Sequence, residues 1–205
     1  KNGEMALTIY NELGMNTASI IQDEKYSTGV AGIMVNEKTG DNAINIVPGA
    51  AGTLISDDID RNLNFIEKAQ IFLTQLEIPY EVTRYALKKA KEKGLVTILN
   101  PAPACEIEDD DFQLIDFFTP NETEAEFYLN KKIETEKDIK SASEQFLKKG
   151  IKNVVMTLGE KGCYFANEKE NFFINAFKLK EPVLDTTGAG DAFNGALACL
   201  LYTSP

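Results

Sequence analysis

The residues best suited to chemistry lie in segment 185–195, which reads Asp-Thr-Thr-Gly-Ala-Gly-Asp-Ala-Phe-Asn-Gly. Apolar residues at helical spacing follow the second glycine, so the segment predicts a tight turn that leads into a helix. Free backbone N–H groups and the positive end of the helix dipole favour an anion at such a turn. Asp191 lies in the predicted first turn, where its carboxylate can take a proton from a hydroxyl while the amides hold a phosphoryl group.

The glycine spacing argues against two other phosphate-binding loops. No G-x-x-x-x-G-K-[ST] string occurs in the chain, and Gly188, Gly190 and Gly195 are too far apart for the dinucleotide fingerprint G-x-G-x-x-G. Plain helix capping is the simpler interpretation of Gly-x-Gly on its own. The whole string of residues 185–195 is a more specific signal than Gly-x-Gly. It resembles the C-terminal signature of the ribokinase-like (PfkB) carbohydrate kinases.

This resemblance implies an enzyme that transfers a phosphoryl group from ATP, bound with Mg²⁺, to the primary hydroxyl of a sugar. D-ribose is the expected sugar and D-ribose 5-phosphate the expected product. Asp191 is implied to be the catalytic base and to contact the sugar. Gly188, Ala189 and Gly190 are implied to supply the anion hole, with Gly190 also on the ATP.

Composition narrows the class of protein. The chain has 205 residues, 43% of them apolar, enough for one hydrophobic core, so we expect a single domain over residues 1–205. The net charge of −11 argues against nucleic acid and anionic membranes as partners. The sequence has no histidine, so general-base chemistry falls to Asp, Glu, Lys, Tyr or Cys. Three widely spaced cysteines suggest neither a disulfide framework nor a zinc site. With no signal peptide or membrane-length apolar run visible, we expect a cytoplasmic protein.

Strand-like and helix-like patterns alternate along most of the chain. They predict βαβ units and a Rossmann-like, three-layer α/β/α fold with a mostly parallel sheet, whose ligands bind at the carboxyl ends of the strands. The predicted strands are residues 18–22, 28–36, 43–47, 69–76, 96–99, 115–119, 154–158, 163–166 and 171–176. The main predicted helices are residues 79–93, 135–149 and 191–202.

Residues 28–36 and 43–47 predict a β-hairpin, since residues 37–41 carry a turn signal. The hairpin can be a simple edge of the main sheet. The resemblance implies instead a β lid, residues 27–48, that covers the sugar and often forms the dimer face. A lid of this kind excludes water, which competes with the sugar as acceptor. We therefore expect a homodimer formed through the lid sheet.

Polar residues follow several predicted strands. Glu77, in Gln-Leu-Glu, is a solvated loop residue on the plain interpretation and a sugar ligand by the resemblance. Asn121 and Glu124 have the spacing of a capping box, which explains them structurally. The resemblance implies instead that Asn121 contacts ATP and that Glu124 holds Mg²⁺ through water, a ligand arrangement that suits this cation.

Three further motifs carry both a structural and a family interpretation. Residues 157–162 predict a hairpin turn, while the resemblance implies ATP contacts from Thr157, Leu158, Gly159, Glu160, Lys161 and Gly162. Asp185 and Thr187 are ordinary turn formers, and the resemblance makes them ligands of K⁺. Residues 100–104, Asn-Pro-Ala-Pro-Ala, predict a rigid turn with no chemistry of its own, although this string also resembles the family.

The ends of the chain predict a fragment of a longer gene. Residues 199–205 resemble the translated read-through of a sequencing adapter, so we expect Cys199 to Pro205 not to be native. The family's N-terminal sugar-binding aspartate and its C-terminal adenine-binding segment are absent from these 205 residues. We therefore expect this fragment by itself to be inactive.

Three alternative functions stay open. A related kinase would act on fructose, another sugar or a nucleoside. A non-catalytic ligand-binding or regulatory relative would share the fold, although it would be expected to lack the base or the anion hole. An NAD-binding Rossmann protein is disfavoured by the glycine spacing.

Overall fold

The computed structural model describes residues 2–35, 42–181, 183 and 185–203. The strands in these residues are β1 (Thr28–Val35), β2 (Asn42–Gly49), β3 (Ile71–Thr74), β4 (Val96–Leu99), β5 (Phe117–Phe118), β6 (Asn153–Thr157), β7 (Cys163–Asn167) and β8 (Asn171–Ile174). The α-helices are α1 (Asn2–Glu12), α2 (Ser56–Arg61), α3 (Leu63–Ile66), α4 (Tyr80–Glu92), α5 (Glu122–Leu129), α6 (Glu136–Lys148) and α7 (Ala189–Thr203).

The larger sheet contains six strands in the order β3-β4-β5-β6-β7-β8. Strands β3 to β6 are parallel, and β7 and β8 add to the sheet as antiparallel strands. Helix α4 connects β3 to β4, and helices α5 and α6 connect β5 to β6. The predicted α/β class, a mostly parallel sheet flanked by helices with a separate small hairpin, is confirmed.

Helix α6 shows why these segments form helices. Thr135 precedes the helix and its hydroxyl accepts a hydrogen bond from the Asp138 N–H, while the Asp138 carboxylate accepts one from the Thr135 N–H. Ile139, Ala142 and Phe146 then recur at helical spacing and are buried against the sheet side of the core. The capping box and the apolar face therefore stabilise the same helical segment.

An aromatic cluster fixes the short central strand β5. The ring of Phe118 is fully buried, and its centroid lies 5.0 Å from Phe146, 5.8 Å from Tyr128 and 6.1 Å from Phe112. Edge-to-face and tilted ring contacts of this kind add to the free energy gained from burial. Because β5 has only two residues, side-chain packing as much as backbone pairing holds it between β4 and β6.

The prediction of a strand at residues 18–22 is wrong. These residues form a turn, in which the Ile20 N–H donates to the Thr17 carbonyl and the Ala18 N–H donates to the Asn16 side chain. Ile20 and Ile21 are exposed and pair with no strand of either described sheet. A strand needs a partner, which β-branched residues alone do not supply.

The predicted hairpin is confirmed. Strands β1 and β2 pair antiparallel from Thr28 opposite Gly49 to Val35 opposite Asn42, and they form a two-stranded sheet of their own. The turn predicted at residues 37–41 lies outside the described residues. The hairpin is therefore separate from the six-stranded sheet and is not its edge.

Candidate active site

The carboxyl ends of the parallel strands bring polar side chains to one edge of the sheet. The parallel ladder continues past the strands, because the Asn100 N–H donates to the Thr74 carbonyl and the Thr119 N–H donates to the Leu99 carbonyl, both at 3.0 Å. The predicted strand at residues 69–76 is shorter than expected: the chain turns away after Thr74, and the Leu76 N–H donates to the Ala102 carbonyl. Gln75, Asn100 and Thr119 therefore follow β3, β4 and β5 at this edge.

A tight turn precedes α7, as the sequence predicts. Gly188 adopts a φ of 76°, which favours glycine, and the Ala189 N–H donates to the Thr186 carbonyl. The backbone N–H groups of Gly190 and Asp191 have no backbone acceptor among the described residues. These two amides, at the positive end of a helix of 15 residues, are free to bind an anion.

Asp191 and Asn194 connect α7 to the carboxyl edge of the sheet through side-chain hydrogen bonds. Oδ1 of Asp191, an exposed residue, accepts a hydrogen bond of 2.9 Å from Nε2 of Gln75. Asn194 is only 4% exposed; its Nδ2 donates to the Gly190 carbonyl (2.9 Å) and its Oδ1 accepts from the Thr119 hydroxyl (2.7 Å). A pocket of about 260 Å³ opens here, lined by Leu73, Thr74, Gln75, Asp191 and Asn194.

The sequence interpretation missed Gln75, Asn100 and Asn194. The sequence predicts Asn100 in a turn with no chemistry of its own, but the side chain is buried and its Nδ2 donates to the Thr119 carbonyl. A signal existed for Asn194, which is a polar residue within an otherwise apolar helical pattern. Gln75 gave no comparable signal, because its contact with Asp191 joins two segments 116 residues apart.

Glu77 lies outside this pocket. Its side chain is exposed, has no hydrogen-bonding partner among the described residues, and follows the bend at Leu76. The structure thus leaves the Glu77 carboxylate exposed, two residues after Gln75 in the sequence and not among the residues that line the pocket.

A second polar group forms where α5 begins. Asn121 Oδ1 accepts from the Glu124 N–H and Glu124 Oε2 accepts from the Asn121 N–H, both at 2.8 Å, so the predicted capping box is present. Burial raises the pKa of Glu124, opposed by the bond from the Asn121 N–H. Glu124 Oε1 has no partner among the described residues. Asn121 also forms a parallel bridge with Thr157, which places the end of β6 next to this group.

Residues 157–162 form the predicted turn between β6 and β7. A 3₁₀ turn, Gly159–Lys161, is closed by the Leu158 N–H donating to the Gly162 carbonyl at 2.8 Å. Gly162 is required for close approach, because a Cβ there would lie 1.9 Å from the Ile174 carbonyl oxygen. Gly159, by contrast, faces open space. The turn is therefore a hairpin connection with one side open.

The comparison with known proteins assigns the chain to a family. Residues 1–203 match the pfkB family carbohydrate kinase. The chain belongs to this family.

Two curated relatives and one solved structure are informative. The chain is 38% identical to the ribokinase of Staphylococcus aureus over 93% of the chain and 62% of that protein. It is 37% identical to the deoxyribokinase of Salmonella typhi over 90% of the chain and 60% of that protein. The ribokinase of Arabidopsis thaliana, solved with ribose and ATP, superposes with a TM-score of 0.76 at 31% identity, over 87% of this chain and 58% of that one. The chain thus spans less than two thirds of these relatives.

The cations implied for the pfkB family find oxygen donors among the described residues. Glu124, with one unpaired carboxylate oxygen, fits a Mg²⁺ ion held through water better than one held directly, since no group of three or more acidic, Cys or His side chains clusters in the described part of the chain. Asp185 Oδ1 accepts from the Thr187 N–H at 2.8 Å, which lowers the pKa of Asp185. Among the described residues, the other carboxylate oxygen of Asp185 has no hydrogen-bonding partner. None of the described helices is long and apolar enough to span a membrane.

Proposed function

We propose that the full-length protein is an ATP-dependent sugar kinase that converts D-ribose to D-ribose 5-phosphate in the cytoplasm. We further propose that the native part of the chain belongs to one kinase domain, with residues 27–48 as its lid. The observation that carries the proposal is the arrangement at the start of α7. There an exposed carboxylate, Asp191, stands beside two free backbone amides at the edge of the sheet where α/β proteins bind ligands.

In the proposed reaction Asp191 is the general base. It takes the proton from the primary hydroxyl of the sugar as that oxygen bonds to the γ-phosphorus of ATP, and the bond to the departing ADP breaks. The free N–H groups of Gly190 and Asp191, together with the turn at Gly188 and Ala189, stabilise the negative charge on the transferred group. Positioning and electrostatics account for the rate, and no covalent enzyme intermediate is required.

We assign the nucleotide to the side of the site where α5 begins and β6 ends. Asn121 is bridged to Thr157, the first residue of the turn, and a Cβ on Gly159 in the same turn would meet no atom within 4 Å, which supports ATP contacts from that turn. Glu124 would hold Mg²⁺ through water, and Asp185 and Thr187 would bind K⁺. When bound, these cations neutralise phosphate charge and shape the anion hole.

The hairpin is proposed as the lid over the sugar and as the homodimer face. Val30 and Val47, opposite each other, are 52% and 55% exposed, while Ile33 and Ile46, on the other face, are 41% and 38% exposed. A two-stranded sheet with apolar residues exposed on both faces is not stable by itself. One face over the substrate and one against a second copy would bury both.

A second candidate substrate is 2-deoxyribose. It is supported by the 37% identity to a deoxyribokinase, which is almost as high as the identity to a ribokinase. A hydroxyl at the 2-position distinguishes the two sugars, and a site built to bond that hydroxyl rejects the sugar without it.

The test is sugar-dependent ADP release by the full-length protein with Mg²⁺ and K⁺. Ribose, 2-deoxyribose, fructose and adenosine are compared as acceptors. The proposal predicts the highest kcat/KM for ribose. A higher kcat/KM for another acceptor would show that the protein is a kinase with a different sugar or nucleoside as its substrate. ATP binding without turnover of any acceptor would favour the non-catalytic relative.

Glu77 has its own test within the same assay. The substitution Glu77→Gln should raise KM for the sugar about 10-fold and leave KM for ATP unchanged, because only the sugar loses a charged acceptor. Glu81→Gln, at a neighbouring exposed glutamate, is the matched control and should resemble the wild type. An unchanged sugar KM in Glu77→Gln would remove Glu77 from the sugar site.

A further inference from the structure

Gln75 contacts the proposed base directly. Its Nε2 lies 2.9 Å from Asp191 Oδ1 and 3.5 Å from Asn100 Oδ1. Gln75 is half-buried at the end of β3, whereas Asp191 is exposed at the start of α7. Among the described residues, no other side chain hydrogen-bonds to the Asp191 carboxylate.

The neighbouring groups determine which way the Gln75 amide points. Asn100 Nδ2 donates to the Thr119 carbonyl at 3.0 Å, and a carbonyl can only accept. Asn100 must therefore turn its Oδ1 towards Gln75. Two oxygens, Asn100 Oδ1 and Asp191 Oδ1, then face the same Gln75 amide, which can satisfy both only with its NH₂ group.

The hydrogen bonds through the Asn100 and Gln75 side-chain amides hold one oxygen of Asp191 and leave its other oxygen available. Oδ1 is occupied by Gln75, while Oδ2 has no hydrogen-bond partner among the described residues. Oδ2 lies over the turn, 3.9 Å from where a Cβ on Gly188 would be. The free oxygen is thus next to the proposed anion hole, where a sugar hydroxyl would have to lie to reach the phosphoryl group.

We propose that Gln75 is a positioning residue for the phosphoryl transfer: anchored by Asn100, it holds the Asp191 carboxylate so that Oδ2 faces the sugar hydroxyl. The inference rests on the proposed function. The same inference explains why the side chain of Asn100, the first residue of the Asn-Pro-Ala-Pro-Ala string, is buried: it orients Gln75. Without Gln75 the exposed carboxylate would sample other rotamers and present Oδ2 correctly for only part of the time.

The test compares two substitutions of similar size in the full-length enzyme. Gln75→Met removes the donor but keeps the length of the side chain, and should lower kcat on the order of 10²-fold with KM for ATP within about twofold. Gln75→Glu places a like charge against Asp191 and should lower kcat further. Gln70→Glu, at the exposed opposite end of the same strand, is the matched control and should retain wild-type kcat.

The outcomes separate this inference from the proposed function. If the wild-type enzyme turns over a sugar and Gln75→Met has an unchanged kcat, the positioning role is overturned, whereas the proposed kinase function is retained. A fall in kcat accompanied by a lower urea midpoint and weaker ATP binding would show a structural role and would also overturn it. A wild-type protein without turnover of any acceptor would overturn both.

Discussion

Two aspartates at opposite edges of the six-stranded sheet have opposite surroundings. Asp116 precedes β5 at the amino edge and is 6% exposed. Its carboxylate accepts from the ammonium groups of Lys91 and Lys152 and from the Thr97 N–H, at 2.7–3.0 Å. Asp191, at the carboxyl edge, is exposed and has one side-chain partner among the described residues, Gln75.

The difference indicates which carboxylate can react. Burial alone would raise the pKa of Asp116, but Lys152, Lys91 and the Thr97 N–H outweigh it, so the pKa of Asp116 is lowered. A carboxylate surrounded by cations and donors has no oxygen left for a substrate and is a poor proton acceptor. Within the part of the chain that the structure describes, Asp191 keeps one oxygen without a partner, beside two backbone amides that have no acceptor. We infer that the amino edge serves stability and the carboxyl edge serves function.

The largest effect on stability should come from Asp116. Asp116→Ala removes the common acceptor of two ammonium groups and one buried N–H, and should lower the free energy of unfolding by about 2–3 kcal/mol. Urea unfolding of the full-length protein measures it. Asp110→Asn, at an exposed aspartate in the same region, is the control and should change little. A similar loss in both variants would mean that the Asp116 cluster has no special role.

Asn194 should show a mixed effect, because it belongs to the functional edge but is buried. Asn194→Ala removes the 2.7 Å acceptor of the Thr119 hydroxyl and leaves it only the Leu99 carbonyl at 3.5 Å, which costs about 1–2 kcal/mol. The Gly190 carbonyl loses its side-chain donor. The anion hole should shift, lowering kcat on the order of 10-fold or more. Unfolding and ADP-release assays report the two effects. Asn171→Ala, at an exposed asparagine, should show neither effect. An unaltered kcat in Asn194→Ala would show that Asn194 does not support the proposed anion hole.

The smallest expected effect is a dependence of stability on pH. Because the folded pKa of Asp116 lies below its unfolded value, its contribution to stability is present above about pH 3.9 and is lost as the pH falls through the folded pKa. The difference in unfolding free energy between the wild type and Asp116→Asn should therefore shrink on acidification. A difference that stays constant down to pH 2 would contradict the ion-pair account.

Local patterns predicted the regular elements well. The predicted helix at residues 79–93 corresponds to α4, and the predicted strand at residues 96–99 matches β4, because apolar periodicity and glycine boundaries act within a few residues. The wrong strand at residues 18–22 depended on a partner, which a local pattern does not contain. Capping at Asn121 was likewise predictable from its spacing to Glu124.

The site was only partly predictable, for the same reason. The turn at Gly188 and the position of Asp191 follow from residues close together in sequence. The contacts of Gln75, Asn100 and Asn194 join β3, β4, β5 and α7, and only the folded sheet brings them together. The roles of Asp191, Glu77, Glu124, Asp185 and the turn at 157–162 stay predictions until they are measured.

The separation of the two edges is tested most directly by Asp191→Asn and Asp116→Asn side by side in the full-length protein. ADP release per folded molecule, ATP binding and urea unfolding are measured for each. We predict that Asp191→Asn lowers kcat on the order of 10³-fold, with ATP binding and unfolding close to the wild type, and that Asp116→Asn loses stability but keeps kcat. Sustained turnover by Asp191→Asn would contradict the account.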